Sequence, residues 1–416
     1  MQVTAVFAAI SGAICIFTWI YCIYHVVIAL FGLKPIKPKQ KLFDKQHKFT
    51  AIISARNEEK VIAKLVASLK QQKYPSELLN IIVIADNCTD NTAKVAAQAG
   101  AAVYVRNDKE HATKGFALQW LFSQLLNDEA FDSDAVFIFD ADNVVDSHFT
   151  EAMNQQLCCG TIMGQGYRDS KNPGDNWISG AHSIYFWTLM RFCLRSRRNL
   201  NMSGFLGGTG FMIKTEILRR IGGWNAWEIC EDVEFSMYRI ADGEKIDFVP
   251  EAVFYDEQPV KFSQSWNQRV RWTTGNWKCI KSCVPGLWNG RKKNFKNFLD
   301  GFMFLMSVPS VLLGMLGLLF SFAGVLTAGK YMSWGLIGIV LSLLLSYIAM
   351  IFEAIFIVLL EKKKVKDVWK GILGFPIFLI TFMFASFWGV VKPVKKWKPI
   401  EHACSRDIDE VEKKIV

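Results

Sequence analysis

Charged residues are nearly absent from four long stretches of this 416-residue chain. The stretches are residues 3–33, 300–326, 332–360 and 371–391. Within them, His25, Asp300 and Glu353 are the only side chains of the Lys, Arg, His, Asp or Glu type. A helix needs about 20 apolar residues to cross a bilayer core of about 30 Å. The sequence therefore predicts an integral membrane protein with an N-terminal span, residues 1–33, and about three spans in residues 301–391.

The N-terminus lacks the features of a cleaved signal peptide, because no basic residue precedes the apolar run, the run is too long and no small-residue cleavage site follows. Six lysines lie between residues 34 and 48, just after the first span. Lysine marks the cytoplasmic ends of spans. We therefore expect a multi-pass protein of the cell membrane with a basic linker (34–47) and a catalytic domain (48–284) in the cytoplasm.

The C-terminal tail, residues 392–416, conflicts with this simple topology. Four complete spans would place the basic tail outside, against the distribution that lysine normally follows. Either the last stretch, which Gly374 and Pro376 interrupt, does not cross completely, or the tail is an exception. We expect a cytoplasmic tail.

The net charge of +10 does not indicate nucleic-acid binding. No basic stripe interleaved with aromatic residues and no nucleic-acid motif is found, so the excess fits the lysine bias of a membrane protein. The ten cysteines include Cys279 and Cys283 but no matching second pair, which argues against a zinc site. Reduced thiols are the simplest interpretation.

The first strand-to-helix turn, "SARNEEK" after residue 53, contains no glycine, and no Walker-A pattern is present. Both absences argue against a dinucleotide-binding enzyme, whose backbone must approach a pyrophosphate. Strands at 49–54, 81–86 and 135–140 alternate with helices at about 58–71, 90–99 and 114–127. This alternation predicts an α/β fold with a mostly parallel sheet and helices on both faces. Ligands bind such sheets at the carboxyl ends of the strands.

Acidic residues follow this predicted edge. Asp140 and Asp142 end a buried strand, and two carboxylates there suit Mg²⁺ or Mn²⁺ bound together with substrate phosphate oxygens. A lone D-x-D is more often a helix cap or a turn. Further along, Glu231 and Asp232 offer a general base for an acceptor hydroxyl. They would equally favour the N-terminus of a solvated helix.

A third group, Gln268, Arg271 and Trp272, shares one face of a predicted helix before the membrane. The arginine fork suits phosphate oxygens, and the tryptophan offers a flat surface for a sugar ring. An interfacial amphipathic helix with tryptophan at headgroup level is the competing interpretation. Residues 285–300 are also predicted to be interfacial and amphipathic.

In order along the chain, Asp86, Asp140-x-Asp142, Glu231-Asp232 and Gln268-x-x-Arg271-Trp272 resemble the D, DxD, ED and QxxRW signature of membrane-embedded family-2 glycosyltransferases. That family includes cellulose, hyaluronan, chitin-oligosaccharide and poly-N-acetylglucosamine synthases. The resemblance covers residues 48 to about 285 and the flanking spans. It implies a GT-A fold, a UDP-sugar donor, and inversion that gives a β-linkage.

The resemblance also implies residue roles. Asp86 would hold the uracil or ribose, and Asp232 would be the catalytic base. The metal ion would be bound by Asp140 and Asp142. The residues that would bind the donor and its metal are Ala55, Arg56, Glu58, Asp86, Lys114, Asp140, Asp142, Gln268, Arg271 and Trp272. The acceptor side would comprise Gly208, Thr209, Gly210, Glu231 and Trp272. Two departures, Cys230 in place of threonine and the missing FFC before "LGGTG", concern acceptor handling.

Two acceptor classes follow. The motif set favours processive synthesis of a β-linked polysaccharide, extruded through a channel between the spans. The alternative is a single sugar added to a lipid acceptor. The expected partners are a UDP-sugar, a polysaccharide or glycolipid acceptor and the bilayer. A degenerate binding subunit or a transporter is disfavoured, because the acidic motifs are intact and the spans hold few charges.

Overall fold

The computed structural model describes residues 2–394 together with Arg406, Ile408 and Glu410. A single sheet of eight strands forms the catalytic domain, in the order β3-β2-β1-β4-β7-β6-β8-β5. The strands are β1 (Phe49–Ala55), β2 (Leu79–Asp86), β3 (Ala102–Arg106), β4 (Ala135–Asp140), β5 (Val144–Val145), β6 (Met163–Ser170), β7 (Phe211–Lys214) and β8 (Asp247–Asp256).

The first half of this sheet confirms the parallel arrangement that the sequence predicts. Strands β3, β2, β1 and β4 are all parallel, and in their register Ser54 pairs with Asp140 and with Ile84. The loops after β1, β2 and β4 therefore leave the same edge. The second half is mixed, because β7 runs antiparallel to both β4 and β6, and β5 runs antiparallel to β8.

Helices cover both faces of the sheet. In the catalytic domain they are α2 (Ile62–Lys70), α3 (Thr92–Ala99), α4 (Lys114–Leu125), α5 (Phe149–Cys158), α6 (Trp177–Thr188), α7 (Ser196–Asn199), α8 (Thr215–Ile221), α9 (Glu231–Ala241) and α10 (Phe262–Gly290). Residues Leu189–Arg195 join α6 to α7 as a π-helical segment. Helix α2 begins four residues later than predicted, because the Glu58 amide bonds to the side chain of Thr92, which begins α3, and the Glu59 amide to Asp90 in the loop before it.

Alternating residues of β1 enter two separate hydrophobic clusters. Phe49 and Ile53 pack on one face with Leu65 of α2, whereas Ile52 packs on the other with Leu121 of α4. Side chains of a strand alternate between the faces of its sheet, and here both faces are buried. The apolar run of a central strand is thereby explained.

Four helices of the described chain are long and apolar enough to cross a membrane: α1 (Gln2–Leu30, continued to Leu33), α12 (Ser307–Leu326), α13 (Met332–Leu360) and α14 (Val365–Val391). Helices α1 and α12 pair closely. The hydroxyls of Ser11 and Ser321 lie 2.5 Å apart, and Gly317 faces Ile14. Small and hydroxyl-bearing residues commonly form such interfaces.

Helix α14 contacts the catalytic domain from its first turns to its last. Gly371 packs against Gly180 of α6, Arg269 of α10 donates to Phe378 O at 2.7 Å, and Thr274 donates to Gly389 O at 2.9 Å. The prediction that glycine and proline interrupt this stretch is wrong, because α14 is one continuous helix with Pro376 inside it. Proline is tolerated where packing partners surround the helix.

Two residues of the predicted tail lie against the catalytic domain. Arg406 donates to Lys171 O at 2.8 Å and pairs with Asp175 at 2.7 Å, and Ile408 packs on Tyr255. The rest of residues 395–416, apart from Glu410, lies outside the described residues. That the tail is cytoplasmic stays a prediction, which these contacts support if the catalytic domain is cytoplasmic.

Residues 285–300 do not form one segment. Helix α10 continues through Pro285 to Gly290, and α11 (Phe295–Leu305) begins after a short turn. The Asn294 side chain accepts the Asn297 amide at 3.1 Å and so caps α11. Phe298 of α11 packs on Met237 of α9, so this helix rests on the catalytic domain.

Candidate active site

A cavity of about 1320 Å³ opens at the carboxyl edge of the sheet and continues between the apolar helices. All predicted site residues line it except Ala55, Thr209 and Gly210. The lining members are Arg56, Glu58, Asp86, Lys114, Asp140, Asp142, Gly208, Glu231, Asp232, Gln268, Arg271 and Trp272. The fold thus gathers motifs that are up to 216 residues apart in sequence, from Arg56 to Trp272.

Asp86 is the centre of a buried charge network at the end of β2. The residue is 3% exposed, and its carboxylate accepts hydrogen bonds from Arg56 and, at 2.7 Å, from Arg106 Nη1. Arg56 also donates to Ala112 O at 3.1 Å. The network fixes the turn after β1 against the loop after β3, on the wall where the nucleoside is expected.

The D-x-D turn after β4 is held from two directions. Lys114, the first residue of α4, donates to Asp140 and, at 2.6 Å, to Gly208 O. Thr209 is fully buried, and its hydroxyl accepts the Asp140 amide at 2.9 Å and donates to Asn143. Thr209 therefore braces the D-x-D turn, whereas the sequence placed it on the acceptor side.

Asp140 and Asp142 are the residues suited to hold a metal ion. Among the described residues, no cluster of three His, Cys, Asp or Glu side chains has a metal-binding arrangement. Two carboxylates fit Mg²⁺ or Mn²⁺ when substrate phosphates and water supply the other ligands.

Asp232 and Glu231 form the first turn of α9. Burial raises the pKa of Asp232 above its ordinary value, although the Val233 amide, which donates to Oδ1 at 2.9 Å, opposes the shift. Burial, and then the Asp232 charge, raise the pKa of Glu231 to about 7. Gly208 has a φ of +82°, and a Cβ there would lie 3.3 Å from Asp232 Oδ2. A side chain there would press on the Asp232 carboxylate, and the positive φ also favours glycine.

Helix α10 presents the QxxRW residues to the cavity. The Oε1 atom of Gln268 is buried without a hydrogen-bond partner among the described residues. Trp272 belongs to an aromatic cluster, with its ring centroid 6.1 Å from that of Tyr185 and 6.2 Å from that of Phe382. Gln268 thus offers an unused polar atom, and Trp272 an aromatic surface, on the cavity wall.

Two functional candidates were missed in the sequence. Asp256 ends β8 and accepts from Arg168 Nε at 2.9 Å and from Asn143 Nδ2 at 2.8 Å. Both Asp256 and Arg168 line the cavity, and the guanidinium carbon of Arg168 lies 3.9 Å from the Phe186 ring centroid. The signal for Asp256 was present, because "VFYD" ends in aspartate as β2 and β4 do.

The site combines aspartates at the ends of β2, β4 and β8 with a second carboxylate pair at the start of α9. The profile of the family described as "Glycosyltransferase like family 2" matches residues 47–275, more than half of the chain. The protein belongs to this glycosyltransferase family.

By name, its relatives include a polysaccharide synthase and a glycolipid synthase. A probable glycosyltransferase of Bacillus subtilis, YdaM, is 21% identical over 92% of each chain. The poly-β-1,6-N-acetyl-D-glucosamine synthase of Staphylococcus aureus (strain COL) is 24% identical over 56% of this chain and 55% of its own. The β-monoglucosyldiacylglycerol synthase of Nostoc is 25% identical over 55% of this chain and 48% of its own. The chain thus matches about half the length of these two synthases.

Among solved structures, the mannosyltransferase PcManGT of Pyrobaculum calidifontis, in complex with GDP-Man and Mn²⁺, has a TM-score of 0.60. The sequences are 16% identical, and the match covers 92% of this chain and 99% of that one. The likeness confirms the GT-A fold.

Proposed function

We propose that this protein transfers a hexose, with inversion, from a UDP-sugar to a hydroxyl group of an acceptor at the membrane, using Mg²⁺ or Mn²⁺. One observation carries the proposal. Asp140, Asp232 and the apolar helices α1 and α12 all line the same cavity. A donor bound at the sheet edge and an acceptor from the bilayer can therefore meet beside a carboxylate.

The donor half follows from the charges at the sheet edge. Asp140 and Asp142 would hold the metal ion, which neutralises charge that develops on the leaving diphosphate. Lys114 and Arg271 supply positive charge on the same cavity wall. That the nucleotide of the donor is UDP is proposed from the motif set alone. The fold neighbour from Pyrobaculum is in complex with GDP-Man and so does not support UDP.

The acceptor half needs one base. Asp232 takes the proton of the acceptor hydroxyl, whose oxygen then forms a bond to C1 of the sugar. The bond from C1 to the diphosphate oxygen breaks, and its electron pair leaves with UDP. Attack from the face opposite the leaving group inverts the configuration. A second acid is unnecessary because cations stabilise the leaving group.

Two acceptor classes remain under this mechanism, a growing polysaccharide and a lipid. The QxxRW motif and the aromatic cluster around Trp272 suit the processive polysaccharide synthesis that the sequence favoured. The named relatives include both kinds of synthase. Membership of the family therefore does not choose between the two.

The function is tested with purified protein in lipid nanodiscs, a panel of UDP- and GDP-sugars, and an assay for nucleotide release. We expect Asp232→Asn to lose about 100-fold or more in turnover, as removal of a general base does, while nucleotide affinity persists. Asp44→Asn is the matched control, because Asp44 pairs with Lys41 on the exposed linker. Equal turnover in wild type and Asp232→Asn would refute the assigned base.

The same assay tests the metal. A chelator should abolish nucleotide release, and added Mg²⁺ or Mn²⁺ should restore it. Full turnover in the chelator would remove the metal role from Asp140 and Asp142.

A further inference from the structure

The acceptor half of the cavity extends deep between the apolar helices. Its wall includes α1 from Ile14 to Val26 and α12 from Ser307 to Ser321. At 1.5 Å per residue, the α12 portion is about 20 Å long. This is about two thirds of a hydrocarbon core of about 30 Å. The acceptor space therefore reaches well into the bilayer.

The wall at this level offers few hydrogen bonds to a sugar chain. The hydroxyls of Thr18 and Ser386 donate to carbonyls of their own helices, at 3.1 Å and 2.9 Å. Arg197 is held by both oxygens of Asp300, at 2.7 Å and 2.9 Å. Tyr21 and Tyr185 also line this part of the cavity, and most other neighbours are apolar: Ile14, Val26, Leu189, Leu194, Val308, Val311, Met315, Leu318, Leu379 and Met383. Burying polar hydroxyls there without partners would be costly.

Within the described chain, one nitrogen atom on α1 is buried without a hydrogen-bond partner. The Nε2 atom of His25 is buried without a hydrogen-bond partner among the described residues, and His25 lines the cavity. A single such atom fits one oxygen of a lipid headgroup. It does not provide the repeated hydrogen bonds that successive sugars of a polymer require.

The shape also differs from that of a polymer channel. Within the described chain, the lining contains no residue of α13, none of α1 before Ile14 and none of α12 after Ser321. At that level Ser11 and Ser321 join α1 to α12 through their hydroxyls, and beyond it Thr4 pairs with Thr327. The lined space thus ends near Ile14 and Ser321, before α1 and α12 do.

The presence of a general base, Asp232, indicates whether the lipid headgroup is a phosphate or an alcohol. A phosphate acceptor is already ionised and needs no general base, and the carboxylates of Glu231 and Asp232 would repel it. An alcohol needs the proton transfer that Asp232 is placed to perform. In the membrane half of the cavity, Arg197 is neutralised by Asp300, so it offers no free positive charge to a lipid phosphate.

We propose that the acceptor is an uncharged lipid with a free hydroxyl group, whose hydrocarbon chain lies between α1, α12 and α14. This inference rests on the proposed function and names its acceptor. The lipid oxygen displaces UDP from C1 of the sugar, its proton passes to Asp232, and the product is a glycolipid with one added sugar.

Two glycines provide a matched pair of variants. Gly314 lines the cavity on α12, and a Cβ there would meet no atom within 4 Å. Gly338 of α13 has equally open surroundings and is outside the cavity lining. Gly314→Phe should fill the space for the hydrocarbon chain, whereas Gly338→Phe adds the same ring to a membrane helix elsewhere. Thermal unfolding and UDP affinity verify that both variants fold.

The assay offers dioleoylglycerol, ceramide or polyprenyl phosphate in nanodiscs with a labelled donor, and mass spectrometry identifies the product. We expect one sugar on an uncharged lipid, and at least a tenfold lower yield for Gly314→Phe than for Gly338→Phe. A polymer ladder, preferred transfer to polyprenyl phosphate, or equal yields from the two variants would overturn the inference. Nucleotide release without lipid labelling would do so too, while leaving the proposed function intact. No release from any donor would refute both.

Discussion

At the scale of single residues, the adjacent carboxylates of Glu231 and Asp232 are the most consequential pair. Burial raises the pKa of both, and the Asp232 charge adds to the shift of Glu231. A base with a raised pKa binds a proton more strongly and is better suited to take one from an alcohol. The two carboxyl groups therefore ionise less readily, but once ionised they are stronger bases.

The pair predicts the pH dependence of transfer. Because Asp232 acts in its ionised form, kcat/KM should fall with decreasing pH, and the fall should begin above the ordinary aspartate pKa. Protonation of Glu231 near pH 7 should add a second step, which Glu231→Gln removes. Profiles between about pH 5 and pH 9 for wild type, Glu231→Gln and the exposed control Glu216→Gln test this. An identical profile in Glu231→Gln would contradict the coupling.

The sequence located the acidic motifs because each ends a strand or begins a helix, which is a local signal. It did not locate Arg106 or Arg168, and it gave Thr209 an acceptor role instead of a bracing one, because these roles depend on partners that only the fold brings close. Arg168 and Asp256 are 88 residues apart in sequence, yet form an ion pair on the cavity wall. No local sequence pattern indicates such a pair, so the contacts that hold the site residues in place could not be predicted from the sequence.

At the scale of elements, helix α14 depends on a glycine seam. A Cβ on Gly371 would lie 2.5 Å from the backbone of Gly180, and one on Gly374 would lie 2.6 Å from the Trp177 ring. Glycine at both contacts lets α14 approach α6 closely. The approach allows Leu379 and Phe382 of α14 to line the cavity.

We expect Gly371→Val to push α14 away from α6, which should lower the free energy of unfolding by about 1–3 kcal/mol and reduce transfer. Gly12→Val on α1 is the control, because a Cβ at Gly12 meets no atom within 4 Å. Thermal unfolding in detergent and the transfer rate are the measurements. Equal stability of the two variants would show that the seam is not tightly packed.

Elements were predictable where they were long and periodic, as for β1, β2, β4 and the helices between them. Strand β7 and the two-residue β5 are too short to give a period. The glycine and proline of α14 suggested a broken helix, but here glycine serves close packing and Pro376 is itself packed in a buried position. Glycine and proline thus often end a helix that lacks packing partners, but are accommodated in a helix that is tightly packed.

At the scale of the whole molecule, the turn between α13 and α14 is tied to the catalytic domain. Glu361 pairs with Arg191 at 2.5 Å and accepts the Tyr167 hydroxyl at 2.6 Å, and Lys363 pairs with Asp169 at 2.5 Å. The start of α14 therefore lies beside the catalytic domain, as does its end at Gly389. From these contacts at both ends we predict that α14 packs along the domain and does not cross the membrane.

This arrangement predicts the sidedness of the chain. In a cysteine-free variant within sealed vesicles, Lys392→Cys should react with a membrane-impermeant thiol reagent from the same side as Lys109→Cys of the catalytic domain. Ala328→Cys, between α12 and α13, should react from the other side. Joint labelling of positions 392 and 328 would show instead that α14 crosses the membrane.

The π-helical segment Leu189–Arg195 sets the rotational phase between two groups of contacts. Before it, Trp187 packs with α13 and α14; after it, Arg197 reaches Asp300 of α11. Loss of one residue there would preserve composition and hydrophobicity, yet would turn one group by about 100° relative to the other. A one-residue deletion that a loop would tolerate would here misalign the contacts on either side of the segment. We therefore expect insertions and deletions in Leu189–Arg195 to be tolerated far less than substitutions.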